Sequence, residues 1–173
     1  MTTVAVVGNT TWGTTLAIIL ARNGVPTTLL CRKQEDVDLL EHDRQNKRFL
    51  EGVDFPENLN INANWREVVG NSEIILFAVP SRTLRDNAQA VATIMSAPAV
   101  IVSATKGLDP ETGMRMTAIL GEEISSKYIK ALVAISGPNL AKEIAAGKPA
   151  TTVIASDRTA IAEELSELFR TPA

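Results

Sequence analysis

VAVVGNTTWGTTLAIILARNG, residues 4–24, decides the fold of this chain. Four apolar residues run into Gly8, and a helix-like segment with Leu16, Ile19 and Leu20 on one face runs from residue 12 to Gly24, a helix stop. An apolar strand turning through glycine into a helix is the frame of the G-x-G-x-x-G loop. Its first glycine makes the tight turn, its second lets a pyrophosphate approach the backbone, and its third lets helix and strand pack closely. Gly8 and Gly13 fill the first and third places, but Thr10 stands in the second. The sequence therefore poses a question: does the loop still cradle a pyrophosphate, or has only its shell been kept?

Outward from this loop, apolar strands alternate with helical segments. Strands are expected over residues 27–32, 72–80, 99–105, 131–136 and 151–156, and helices over 34–48, 82–95, 111–124, 139–146 and 158–169. In the helix over 34–48, Val37, Leu39 and Leu40 are expected on the buried side, and residues 49–64 read as a connector with one short strand. Strands without polar alternation imply burial on both faces, hence a parallel sheet between helix layers. The fold class is α/β, a doubly wound, mainly parallel, Rossmann-like sheet forming one domain. A chain of 173 residues is long enough to bury a real core.

The net charge of −3 argues against a nucleic-acid binder. No apolar run approaches the roughly 18 residues that would span a membrane. The N-terminus carries no signal-peptide pattern. The single cysteine, Cys31, permits no internal disulfide and suits a reducing, cytoplasmic setting. It reads as a small apolar filler. His42, the one histidine, lies in a charged stretch and reads as solvated. No grouping of Cys, His and carboxylates has metal-ligand spacing, so no metal is expected.

In such folds an acid at the end of the second strand grips the ribose 2′-OH of NAD. Here that place holds Arg32 and Lys33, which favour a 2′-phosphate and hence NADP(H), with NAD(H) as the alternative and a solvated cation pair as the plainer reading. Lys106, after the strand over 99–105, stands where it can polarise a carbonyl or neutralise a phosphate, or simply project from a turn. In SGPNLA, residues 136–141, Asn139 reads either as a helix N-cap or as part of a second anion site on the free amides near Asn139 to Ala141. Ser81, in the similar turn AVPSRTL, reads as a cap rather than a catalyst.

Together, VAVVGNTTWGTTLA, ILFAVPS, VSATKGL and ISGPNLAKEIAAGKPA resemble the NAD(P)-dependent glycerol-3-phosphate dehydrogenases of bacterial type, over essentially the whole chain. The resemblance implies reversible reduction of dihydroxyacetone phosphate to sn-glycerol 3-phosphate for glycerophospholipid synthesis, in a cytoplasmic homodimer. It implies cofactor contacts at Gly8, Thr10, Thr11, Trp12, Gly13, Arg32, Lys33, Phe49, Lys106 and Ala141, and substrate contacts at Lys106, Gly137 and Asn139. The family's loop usually reads Gly-Ala-Gly-Ser-Trp-Gly. Thr10 departs from it, with a hydroxyl offered to a phosphate oxygen as the compensation, and Asn139 stands where a small hydroxyl residue is usual. Family members carry a second, helical domain holding the lysine that protonates the carbonyl oxygen. These 173 residues match only the cofactor-binding domain, so turnover by this chain alone is expected to be negligible. The alternatives are a non-catalytic dinucleotide-binding module and a related dehydrogenase acting on another small acid.

Overall fold

The computed structural model describes residues 2–171. Its centre is a seven-stranded sheet in the order β5-β2-β1-β6-β7-β8-β9. The strands are β1 (Val4–Val7), β2 (Thr27–Leu30), β5 (Leu59–Asn62), β6 (Ile74–Phe77), β7 (Ala99–Ser103), β8 (Ile129–Ser136) and β9 (Val153–Ser156). All neighbours pair parallel except β8 and β9. A separate antiparallel hairpin joins β3 (Gln45–Asn46) to β4 (Leu50–Asp54). The helices are α1 (Thr11–Arg22), α2 (Gln34–Asp43), α3 (Trp65–Gly70), α4 (Ser81–Ala92), α5 (Met116–Glu123), α6 (Ala141–Ala145) and α7 (Thr159–Phe169).

Two apolar layers sandwich the sheet, and the two-residue pleat assigns each strand residue to one of them. Val4 and Val6 of β1, with Ile74 and Leu76 of β6, face Leu16, Ala17 and Leu20 of α1, Val37 and Leu40 of α2 and Leu165 of α7. Ala5, Val7, Ile75 and Phe77 face Leu84, Ala88 and Val91 of α4 and Ile119 and Leu120 of α5. Burial on both faces is why β1 and β6 carry no polar residue. Strand order reverses between β1 and β6, and that switch point is where an open α/β sheet leaves a crevice beyond its C-terminal strand ends.

Several expected boundaries move. The helix over 34–48 stops at Asp43, because Arg44 adopts the left-handed conformation at φ 48°. Its guanidinium donates to Glu41, to the Pro56 carbonyl at 2.7 Å and to that of Leu59, and lies over the Phe55 ring. All of these but Glu41 come from a later segment that helical periodicity cannot see. Leu39 is exposed rather than buried, since the shortened α2 turns only Val37 and Leu40 inward. The connector over 49–64 holds two strands, and α3 follows it, capped by Asn64 Oδ1 accepting from the Glu67 amide. The helix expected from residue 111 begins at Met116. Residues 109–114 fold instead as a turn in which the Asp109 carboxylate accepts from the Thr112 amide and hydroxyl. The helix expected from Asn139 begins at Ala141. Gly24 ends α1 as expected, with φ 76° and its amide on the Ala21 carbonyl, while Val25 donates to Leu20.

Candidate functional site

The turn from β1 into α1 is closed by two glycines with no room for a side chain. Gly8 has φ 114°, and a Cβ there would lie 2.8 Å from both the Ala78 carbonyl oxygen and Val79 Cγ1. A Cβ on Gly13 would lie 1.9 Å from the Gly8 carbonyl oxygen. The first and third glycines therefore perform the tasks of the fingerprint, a tight turn and close helix–strand packing. The first-turn amides of α1, at Thr11 and Trp12, face the end of β1 with the positive end of the helix dipole, suited to an anion.

Thr10 is the N-cap of α1, its Oγ1 accepting from the Gly13 amide at 3.4 Å. The same hydroxyl donates to the Ala78 carbonyl at 2.9 Å. Its one proton is thus engaged within the fold. The Thr10 side chain is thereby folded onto the end of β6.

Asn46 of β3, buried and not singled out in the sequence, clips the hairpin onto this loop. Its Nδ2 donates to the Asn9 carbonyl at 2.9 Å and to Thr14 Oγ1 at 2.8 Å. Asn46 also accepts from the amide of half-buried Phe49, and the Arg48 guanidinium lies 4.9 Å from the Phe49 ring centroid. Sequence reading missed Asn46 because its partners lie 32 and 37 positions away.

At the end of β2, Arg32 and Lys33 are exposed, and Lys33 precedes the first turn of α2. Arg32 Nη2 donates to Asn87 Oδ1 at 3.0 Å, reaching past the end of β1 to α4. Cys31 beside them is buried, and desolvation, with a contribution from the nearby Asp36, pushes its thiol up to about 12. It is inert filler, and its carbonyl accepts from Trp65 Nε1 at 2.6 Å.

Across the sheet, Lys106 Nζ lies 5.2 Å from the Trp12 ring centroid and 3.5 Å from the Gly137 carbonyl. The structure thus brings Trp12, Lys106 and Gly137 together at the C-terminal ends of β1, β7 and β8. Ser103, Lys106 and Gly137 also line a pocket of about 410 Å³, and the buried Ser103 Oγ has no hydrogen-bond partner among the described residues. A Cβ on Gly137 would lie 2.6 Å from the Thr151 carbonyl oxygen, so this turn also needs glycine. Asn139 is not an N-cap. It is buried, its side chain pairs with Thr152 Oγ1 at 3.1 Å, and position 140 precedes α6 without a side-chain cap. Of the amides in this turn, that of Asn139 is spent on the Gly137 carbonyl, and α6, which begins at Ala141, spans only five residues. Ala141 sits against α1, its carbonyl accepting from Thr15 Oγ1. Ser81 makes no cap bond either, as the Pro80 position precedes α4 and Thr83 Oγ1 donates to its carbonyl.

His42 is exposed and touches Asp43, whose carboxyl is held below its usual range by Lys47 first and His42 second. A groove of about 680 Å³ runs along α1, β9 and α7 and meets the glycine loop only through Trp12, so it is distinct from the crevice at the switch point. Among the described residues no helix is long and apolar enough to cross a membrane, and no cluster of three or more metal-ligating side chains occurs.

Residues 3–162 match the family model for the NAD-dependent glycerol-3-phosphate dehydrogenase N-terminus. The chain is 38% identical over 169 residues to a glycerol-3-phosphate dehydrogenase (NAD(P)+) of Chlorobium chlorochromatii, covering 98% of itself and 51% of that protein. It is 38% identical over 170 residues to one of Dehalococcoides mccartyi, covering 98% of itself and 47% of the relative. The crystal structure of the Coxiella burnetii glycerol-3-phosphate dehydrogenase superposes with a TM-score of 0.89 at 28% identity, over 98% of this chain and 51% of that one. The chain spans about half the length of the curated relatives it matches.

Proposed function

This chain belongs to the NAD-dependent glycerol-3-phosphate dehydrogenase family, and we propose that it forms the dinucleotide-binding domain of an oxidoreductase interconverting dihydroxyacetone phosphate and sn-glycerol 3-phosphate, with NADP(H) preferred over NAD(H). The observation that carries this reading is the loop itself. Gly13 packed on the Gly8 carbonyl sets the α1 amides at the mouth of β1, and Thr10 is folded out of their way. The residues present fit the cofactor: α1 receives the pyrophosphate, Arg32 and Lys33 receive a 2′-phosphate, and the Phe49 hairpin flanks the loop. When bound, NAD(P)H supplies the hydride.

The remaining work falls to Lys106. Its ammonium, poised between the Trp12 ring and the Gly137 carbonyl, offers positive charge where a substrate phosphate or a carbonyl oxygen gaining charge would lie. A carbonyl reduced by hydride also takes up a proton on oxygen. Following the family resemblance, that proton comes from a lysine on the helical domain that family members carry, and the homodimeric assembly, cytoplasmic location and role in glycerophospholipid synthesis belong to the same reading. Lys106 orients and balances charge; it is not the acid. The expected result is therefore saturable NADPH binding by this chain with negligible oxidation of NADPH by dihydroxyacetone phosphate. Steady-state turnover near that of a full-length family member would overturn this division of labour.

A further inference from the structure

Asn87 is a polar residue on the buried face of α4, 2% exposed between Leu84, Ala88 and Val91. A buried amide persists only when its donors and acceptor are satisfied. Nδ2 donates to the Thr83 carbonyl at 2.6 Å, one helical turn back, and Oδ1 accepts from Arg32 Nη2 at 3.0 Å. The partners fix which way the amide faces, because a carbonyl can only accept and a guanidinium can only donate. Packing on α4 thus determines where the exposed Arg32 head is held.

A guanidinium has five N–H groups in a planar fork. Asn87 takes one, and no carboxylate forms an ion pair with Arg32 among the described residues. The tether is neutral, so it holds the fork in place without cancelling its charge. By contrast, Arg85 on the same helix is bound by Glu122 and Glu123 and has no charge to spare for a ligand. We propose that Asn87 is a positioning residue that presents the Arg32 fork to the 2′-phosphate of NADP(H) and thereby sets the discrimination against NAD(H). This rests on the reading of Arg32 given under Proposed function.

The discriminating variant is Asn87→Ser. A helical serine hydroxyl can still donate to the carbonyl one turn back, so the Thr83 bond survives, but the side chain is too short to reach Arg32. Calorimetric titration of the chain with NADPH and with NADH is expected to show NADPH Kd raised about fivefold to tenfold, the loss of one charge-assisted bond, and NADH Kd unchanged. Asn87→Ala is expected to do the same, and adding Asn87→Ser to Arg32→Ala is expected to change neither affinity further. Equal weakening of both cofactors would make Asn87 a purely structural residue and overturn the proposal. So would unchanged affinities in a folded variant, or an effect that persists without Arg32. If the unsubstituted chain itself shows no NADPH preference, the Arg32 reading fails first, and that outcome is visible before any Asn87 variant is made.

Discussion

The centre of the sheet and its β9 edge are built differently. At the centre β1 and β6 pair parallel and are buried on both faces, helices approach the sheet to glycine distance, and side chains from distant segments converge on the loop. At the edge β9 runs antiparallel, its residues are exposed or half-buried, Val153 is 61% exposed, and α6 is a five-residue helix. The first region is over-determined and can hold a ligand in a fixed geometry. The second is held by fewer constraints and borders an open groove. Precision in this chain is concentrated where the α1 amides meet the β1 mouth.

The sharpest break in that contrast is Gly13→Ala. Its Cβ would overlap the Gly8 carbonyl, so α1 must lift from β1, and a loss of about 3 kcal/mol is expected in urea unfolding. A loss below about 1 kcal/mol would show that the loop yields more than its packing implies. Asn46→Ala comes next. It strips the Asn9 carbonyl and Thr14 hydroxyl of a buried donor, at about 2 kcal/mol, and should also weaken NADPH binding by freeing the Phe49 hairpin. Gly147, beyond α6, also has positive φ, but a Cβ there meets nothing, so Gly147→Ala should cost only about 1 kcal/mol, from backbone conformation alone. Val153→Thr on β9 should stay within about 0.5 kcal/mol.

One effect is silent at neutral pH. Burial raises the Cys31 thiol from 9.0 to about 12, so the folded chain keeps a proton that the unfolded chain gives up. Its contribution is fully present below about pH 9 and is lost as pH rises toward about 12. Cys31→Ala should flatten the decline in denaturation midpoint over that window. An identical decline in both proteins would show that the thiol ionises without unfolding.

Legibility in the sequence divides along the same line. Strands β1, β6 and β7 were readable because continuous apolar runs have one economical fate, and α1 because its stripe, its glycines and its stop agree. The roles of Gly8 and Gly13 followed from spacing alone. What could not be read was set by partners far along the chain. The end of α2 depends on carbonyls at Pro56 and Leu59, and the loop clip depends on Asn46. Nor could spacing tell which way the Thr10 hydroxyl turns, since its acceptor is Ala78, 68 residues away. The cap reading of Asn139 fails for a related reason, because a cap and a buried strut look alike in sequence until Thr152 is seen beside it.

The most direct test of the central claim is a calorimetric titration of the purified chain with NADPH and then NADH, beside Thr10→Gly. The account predicts one saturable site, tighter for NADPH, with Thr10→Gly close to unchanged, because Thr10 already leaves the α1 amides open. Absence of binding in a folded sample, or binding gained only when Thr10 is replaced by glycine, would contradict it.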